Sequence, residues 1–263
     1  MGARIAAVTV PLCLVLAASA ASPIVMRHDV KEERFLAQAS RYPATASVRP
    51  ADAARGLAGE GTLIDPQWIL TAAHVASLLA PNDLAEVAGT TVRIDRVVLH
   101  PEWHRVDDVK ADVALLRLRS PIRHVRPVKL YELQDEAGLV VTFVGRGGTG
   151  TGLTGPTGED RRRRAATNRV EKAEGPFLQF RFDAPGDSSV TELEGISGPG
   201  DSGGPAYAER NGELFVIGVS SWQDASPTGR RQGRYGVLEY YCRVSFFHRW
   251  IRQTLTPGRH EPH

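Results

Sequence analysis

Cysteine is nearly absent from this chain: 263 residues contain two, Cys13 and Cys242. Such a count excludes a fold stapled by several disulfides, so stability must come from a buried core, which a chain of this length can supply. Net charge is equally scant. The balance of 32 basic and 30 acidic residues leaves +2, too little for the field of a nucleic-acid-binding protein, and none is expected as a partner. Short internal repeats are missing, and helical periodicity is scarce. Only Ser245–Leu255 reads as an amphipathic helix, with Ser245 as its N-cap and Phe246, Trp250 and Ile251 on one apolar face.

What is present suits a globular protein. Hydrophobic residues make up 42% and charged residues 24%, a balance that excludes wholesale disorder and fibrous repeats. Met1–Ala20 carries an early Arg4, a mainly apolar stretch from Ile5 to Ala17 broken by Thr9 and Pro11, and the small residues Ala18-Ser19-Ala20. This is the pattern of a cleaved signal peptide rather than a membrane span, with removal near Ala20 or Ala21. A secreted or periplasmic protein follows, with no membrane association after removal. Cys13 would leave with the leader, and Cys242 alone could form no intramolecular disulfide.

Strand signals dominate the rest. Gly61–Val75 reads as a hairpin turning at Asp65-Pro66 and running into a short turn or helix at His74. Thr91–Leu99, Val113–Leu118, Val140–Val144, Phe177–Phe182, Leu214–Val219 and Gly236–Val244 are short strand candidates bounded by Gly, Pro or Asp. Many short strands without alternating helices predict an all-β sandwich or barrel pair, divided near residue 132. The segment Gly145–Arg169, with seven glycines up to Gly158 and the run Arg161–Arg164, reads as an exposed loop whose arginines are solvated surface.

Three motifs carry chemistry. Thr71-Ala72-Ala73-His74 follows Trp68-Ile69-Leu70, Asp112 opens Asp-Val-Ala-Leu-Leu-Arg-Leu, and Gly200-Asp201-Ser202-Gly203-Gly204-Pro205 comes last. A serine hydroxyl is a weak nucleophile until a neighbouring base takes its proton, and a histidine does that near neutral pH when a carboxylate fixes its tautomer. Glycines around such a serine let backbone N–H groups approach one developing oxyanion.

Over about residues 55–252 these motifs, in the order His, Asp, Ser, resemble the chymotrypsin/trypsin-like serine proteases, in particular a bacterial-type secreted member. The resemblance implies two antiparallel six-stranded β-barrels with the active site between them and a C-terminal helix. It implies a signal peptide over 1–20, an N-terminal segment and first barrel over 21–132, a second barrel and helix over 133–256, and a tail over 257–263. Ser202 would be the nucleophile, His74 the general base and Asp112 the orienting acid, with Gly200 and Ser202 forming the oxyanion hole. Asp201 would order that loop. In the family its partner is a newly exposed N-terminal amine, and Ile24-Val25 resembles such a terminus, yet Pro23 precedes it. Three routes stay open: cleavage before Ile24 by another protease, an internal partner for Asp201, or ordering by substrate.

The resemblance also implies substrate contacts at Ile196, six residues before the nucleophile, and at Ser221 and Trp222, which would pair with an extended peptide. Ile196 stands where a trypsin would carry Asp, and Glu194 or Glu239 is an alternative carboxylate near the pocket. The expected protein is a monomeric endopeptidase acting on peptides or proteins, needing no cofactor and no metal. The alternatives are a catalytically idle homologue that binds peptides in the same cleft, and an esterase, which the missing Gly-x-Ser-x-Gly elbow argues against.

Overall fold

The computed structural model describes residues 24–256 except 53, 55, 57, 105–108 and 230. The expected leader at 1–20 and the tail at 257–263 lie outside the described residues. The chain opens with β1 (Val25–Met26) and α1 (Glu32–Ala39). The first half then follows as β2 (Thr45–Arg49), β3 (Gly59–Asp65), β4 (Trp68–Thr71), α2 (Ala73–Ala76), β5 (Leu84–Val87), β6 (Thr90–Leu99) and β7 (Ala114–Leu118). After β8 (Lys129–Leu130), the second half runs through β9 (Val140–Gly145), β10 (Gly148–Thr151), β11 (Gly155–Glu159), β12 (Arg164–Arg169), β13 (Lys172–Glu174) and β14 (Phe177–Arg181). It ends with β15 (Gly195–Ile196), β16 (Pro205–Arg210), β17 (Glu213–Asp224), β18 (Leu238–Arg243) and α3 (Val244–Leu255).

The first half closes on itself. Strands pair in the order β2-β3-β4-β7-β6-β5, and β5 returns to β2, giving a six-stranded barrel without a free edge. Its interior is aliphatic, with Leu63, Ile69, Leu70, Leu115 and Leu116 fully buried. The second half forms a half-barrel. It is an open antiparallel sheet ordered β12-β9-β16-β17-β18-β14-β13, with β8 added in parallel to β17. Aromatic rings fill its core: Phe143 stacks on Tyr241 at 4.7 Å and meets Phe180 edge-on at 4.9 Å.

The N-terminal segment joins this second half, although it precedes the first barrel in sequence. β1 pairs with β10 in parallel and with β15 antiparallel, forming with β11 a separate four-stranded sheet. Helix α1, which periodicity did not signal, buries Phe35 and Ala39 and keeps Glu32 and Glu33 in its first turn, where carboxylates favour the helix dipole. The segment expected as an exposed loop, Gly145–Arg169, instead contains β10, β11 and β12. Its arginine run divides: Arg161 and Arg162 are exposed, while Arg164 is fully buried and held by Glu32 and Asp160. The pull of Arg164 lowers the Asp160 carboxyl to about 2.

Helix α3 matches the one expected helix, but its cap does not. Arg243 occupies the N-cap position, and no side chain caps the helix. The Ser245 hydroxyl donates instead to Glu136, whose carboxylate is fully buried and gripped by Arg243 through two bonds of 2.8 and 2.7 Å. A forked pair of this kind satisfies both oxygens, and removing its cation leaves a buried charge. Arg243→Ala is expected to destabilise the protein by about 3–5 kcal/mol, read as a lowered urea midpoint; a change within the error of the measurement would show that the pair adds nothing.

Candidate active site

His74 lies on the short helix α2, directly after β4 delivers Thr71 and Ala72 to the rim of the first barrel. Asp112, 2% exposed, lies just before β7, the strand paired with β4. The two neighbouring strands therefore bring both residues to the same edge. His74 Nδ1 is 2.7 Å from Asp112 Oδ2, and the His74 backbone N–H donates to Asp112 Oδ1 at 2.8 Å. One carboxylate thus fixes both ring and backbone of the histidine. From β17 in the second half, the Ser221 hydroxyl donates to the same Asp112 Oδ2 at 2.6 Å. Ser221 was expected to contact substrate; in the structure its hydroxyl holds Asp112.

Ser202 enters from the second half on the turn before β16. Its carbonyl accepts the Glu60 N–H at 2.8 Å, which pins the turn to β3 of the first barrel. Gly203 has φ of +79°, and a Cβ there would stand 2.2 Å from Thr71 Oγ1 and 2.5 Å from the Glu60 carbonyl, so only glycine fits. Gly203 N–H donates to Ser220 O and Ser220 N–H to Gly204 O, both at 2.9 Å, which fastens the turn to β17. Among the described residues, neither the Gly200 N–H nor the Ser202 N–H has an acceptor within the chain, and Ser202 Oγ makes no hydrogen bond to His74.

Asp201 faces the opposite way, 1% exposed. Its carboxylate accepts the Gly198 N–H at 2.9 Å and the Gly147 N–H at 3.0 Å, and Gly145 passes so close that a Cβ would fall 1.9 Å from Oδ1. No ion pair reaches it among the described residues. Burial pushes this carboxyl well above the usual carboxylate range, against the pull of those two donors.

A cavity of about 300 Å³ opens beside Ser202, lined by Ser197, Gly198, Pro199, Ser202, Ser220, Ser221, Trp222, Gln223, Gln232 and Glu239. Of the expected substrate contacts it contains Ser221 and Trp222 but not Ile196. Strand β15 pairs with β1 and turns Ile196 into a fully buried cluster with Val25, Phe182, Tyr235 and Val237, leaving Ser197 to line the wall. Of the two alternative carboxylates, Glu239 lines the cavity. Glu194 lies elsewhere, accepting the Thr191 N–H and hydroxyl at 2.8 and 2.6 Å. Gln223 and Ser197, which also line the cavity, were not singled out in the sequence: Ser220 to Gln223 are four consecutive residues of β17, and the register shift between Ser220 and Trp222 breaks the simple alternation that would have sorted them by face.

Three buried carboxyls make the fold sensitive to pH. Burial raises Glu60 to about 7, partly offset by the positive charges of Arg163 and Arg146 and by the Ser47 hydroxyl. It raises Glu194 to about 7 and Glu239 to about 8. Each keeps its proton in the folded chain after the unfolded chain, at the usual 4.5, has lost it. The folded state therefore binds more protons in this window, so the stabilisation is full below pH 4.5 and is lost as pH rises through about 7–8. The urea midpoint is expected to fall between pH 5 and pH 8, and Glu60→Gln should flatten that slope; a midpoint that rises over the window would contradict it.

The sequence profile of the trypsin family matches residues 36–251. A calcium-dependent serine proteinase of Mesocricetus auratus is 28% identical over 229 residues, which cover 74% of this chain and 31% of that protein, so the chain spans about a third of its length. Chymotrypsin-like elastase family member 1 of Canis lupus familiaris is 29% identical, covering 74% of this chain and 80% of the relative. These relatives are animal proteins, and nothing supports the bacterial type that the sequence suggested. The solved structure of neuropsin, a serine protease of mouse brain, shares the fold, with a TM-score of 0.64 and 18% identity over 83% of this chain and 96% of that one. With its closed six-stranded barrel, open second sheet and C-terminal helix, the chain belongs to the trypsin family of serine endopeptidases.

Proposed function

We propose that this protein hydrolyses peptide bonds through an acyl-enzyme on Ser202, with His74 as general base and Asp112 as its orienting acid. The observation that carries this reading is the double contact of His74 with Asp112, reinforced by Ser221, which lines the same cavity as Ser202. With Asp112 accepting the Nδ1 proton, His74 would be left with Nε2 to take the proton of Ser202. Ser202 Oγ attacks the peptide carbonyl as its proton passes to Nε2; the same proton then goes to the leaving amine, and water repeats the cycle to release the acid.

Charge on the tetrahedral oxygen would be met by the N–H groups of Gly200 and Ser202, which no acceptor of the described chain occupies. Asp201 would act indirectly, by holding the Gly198 end of the loop through its bond to that N–H. The edge of β17 at Ser221 and Trp222 would pair with the backbone of an extended peptide. The leader-like start of the sequence supports export, and no helix among the described residues is long and apolar enough to cross a membrane.

The burial of Asp201 without an ion pair among the described residues favours a second reading, an idle homologue that binds peptides without cleaving them. A fluorophosphonate probe separates the two, since it needs an activated serine. Labelling confined to Ser202 in the folded protein, and lost in Ser202→Ala and after denaturation, is expected; a folded protein that stays unlabelled would support the binding role instead. Asp112→Asn should keep the fold and lower kcat by about 10⁴-fold, the cost of favouring the wrong histidine tautomer, and undiminished turnover would remove Asp112 from the triad.

A further inference from the structure

Behind the Ser202 turn, two acids and two arginines share the seam between the halves. Glu60 on β3 and Glu86 on β5 come from the closed barrel; Arg146, just after β9, and Arg163, just before β12, come from the open sheet. One ion pair is made: Arg146 reaches across the seam to Glu86 at 2.8 Å. The other is not. Glu60 is fully buried, and among the described residues its carboxyl meets only the Ser47 hydroxyl, 3.0 and 3.2 Å from its two oxygens, on the neighbouring strand β2. Nε and Nη2 of Arg163 are buried and have no acceptor among the described residues. Of the charges around it, Arg163 acts most strongly on Glu60, and Glu60 most strongly on Arg163. The adjacent Arg164 is held by Glu32 and Asp160. Two neighbouring arginines therefore differ in kind: one is gripped by two carboxylates, and the other faces a carboxyl without bonding to it.

We propose that Glu60 and Arg163 are a latent ion pair: when Glu60 releases its proton to solvent, Arg163 turns onto the carboxylate, and the pair keeps the Ser202 turn in place. The consequence at Ser202 rests on the protease reading above; the pairing itself does not.

A protonated Glu60 carries no charge, so it gives Arg163 no reason to abandon its own partial hydration for a single neutral acceptor. An ionised Glu60 is different, because a buried carboxylate without a cation is among the most costly groups a fold can hold. The surroundings leave one candidate to meet it. Arg146 is already committed to Glu86, Asp201 across the turn adds only like charge, and burial holds the Tyr207 phenol up at about 12, so it stays neutral. The effect reaches Ser202 through backbone: the Glu60 N–H holds the Ser202 carbonyl at 2.8 Å, and the Glu60 carbonyl accepts the Thr71 hydroxyl at 2.7 Å. Pairing lowers the cost of ionising Glu60, so it limits how far stability falls as pH rises through about 7. Without Arg163 that fall is larger.

The test follows the Glu60 carboxyl by carbon-13 NMR, its signal assigned by its loss in Glu60→Gln, in wild type, Arg163→Gln and Arg163→Lys. The wild-type signal is expected to titrate near 7, to move up by roughly one pH unit or more in Arg163→Gln, and to stay near the wild-type position in Arg163→Lys, which keeps the charge. In the same proteins the urea midpoint should fall further between about pH 5 and about pH 9 in Arg163→Gln than in wild type, while Arg163→Gln/Glu60→Gln falls no further than Glu60→Gln. An unmoved Glu60 titration in Arg163→Gln, or an equal fall of the urea midpoint in that variant and wild type, would overturn the pairing. Fluorophosphonate labelling of Ser202 reads the consequence: its rate at alkaline pH relative to acidic pH should drop about tenfold in Arg163→Gln and recover in Arg163→Lys and in the double variant, where no charge is left to hold. A shifted titration with an unchanged rate ratio would overturn the link to Ser202. A wild type that never labels would defeat the protease reading alone, since the titration and urea measurements do not involve an activated serine.

Discussion

The hydrogen bond from the Glu60 N–H to the Ser202 carbonyl, 2.8 Å long, is the contact on which the site depends. Glu60 belongs to β3 of the closed barrel, and Ser202 to the turn that starts β16 in the open sheet. Thr71 braces the same point: its hydroxyl donates to the Glu60 carbonyl at 2.7 Å, and Thr71 itself begins the turn that carries His74. His74 and Ser202 are thus referred to one stretch of backbone, although they come from different halves. The bond between Ser221 and Asp112 adds a second strap across the same seam. Positioning of this kind has leverage, since small misplacements of a reacting group cost orders of magnitude in rate.

The seam has a price in buried charge. Glu60 carries its carboxyl into the interior beside Ser47, and Asp201 lies fully buried on the other side of the turn. Burial raises the proton affinity of both, the Glu60 charge adds to it at Asp201, and Arg163 and Arg146 only partly compensate at Glu60. A carboxyl in such surroundings relaxes by keeping its proton, which removes the Born cost and leaves a group that can both donate and accept. The turn bearing Ser202 therefore stands on two acids whose ionisation would work against it. That arrangement ties the integrity of the site to proton uptake on folding.

How much of this could be read from the chain alone follows from the range of the interactions. His74, Asp112 and Ser202 were legible as candidates because each sits in a short string whose residues set its own turn, as Gly203 does for Ser202. The strands of the first barrel were equally legible where apolar residues alternate, since burial there is decided by neighbours one hairpin away. Gly145–Arg169 was not. Its glycines and arginines look like solvated loop, but Arg164 is buried by Glu32, 132 positions earlier, and β10 pairs with β1 across a comparable separation. Such partners leave no local trace. Ile196 failed for a related reason: counting back from the nucleophile gave its position in the chain, but its pairing with β1 decides which way the side chain points.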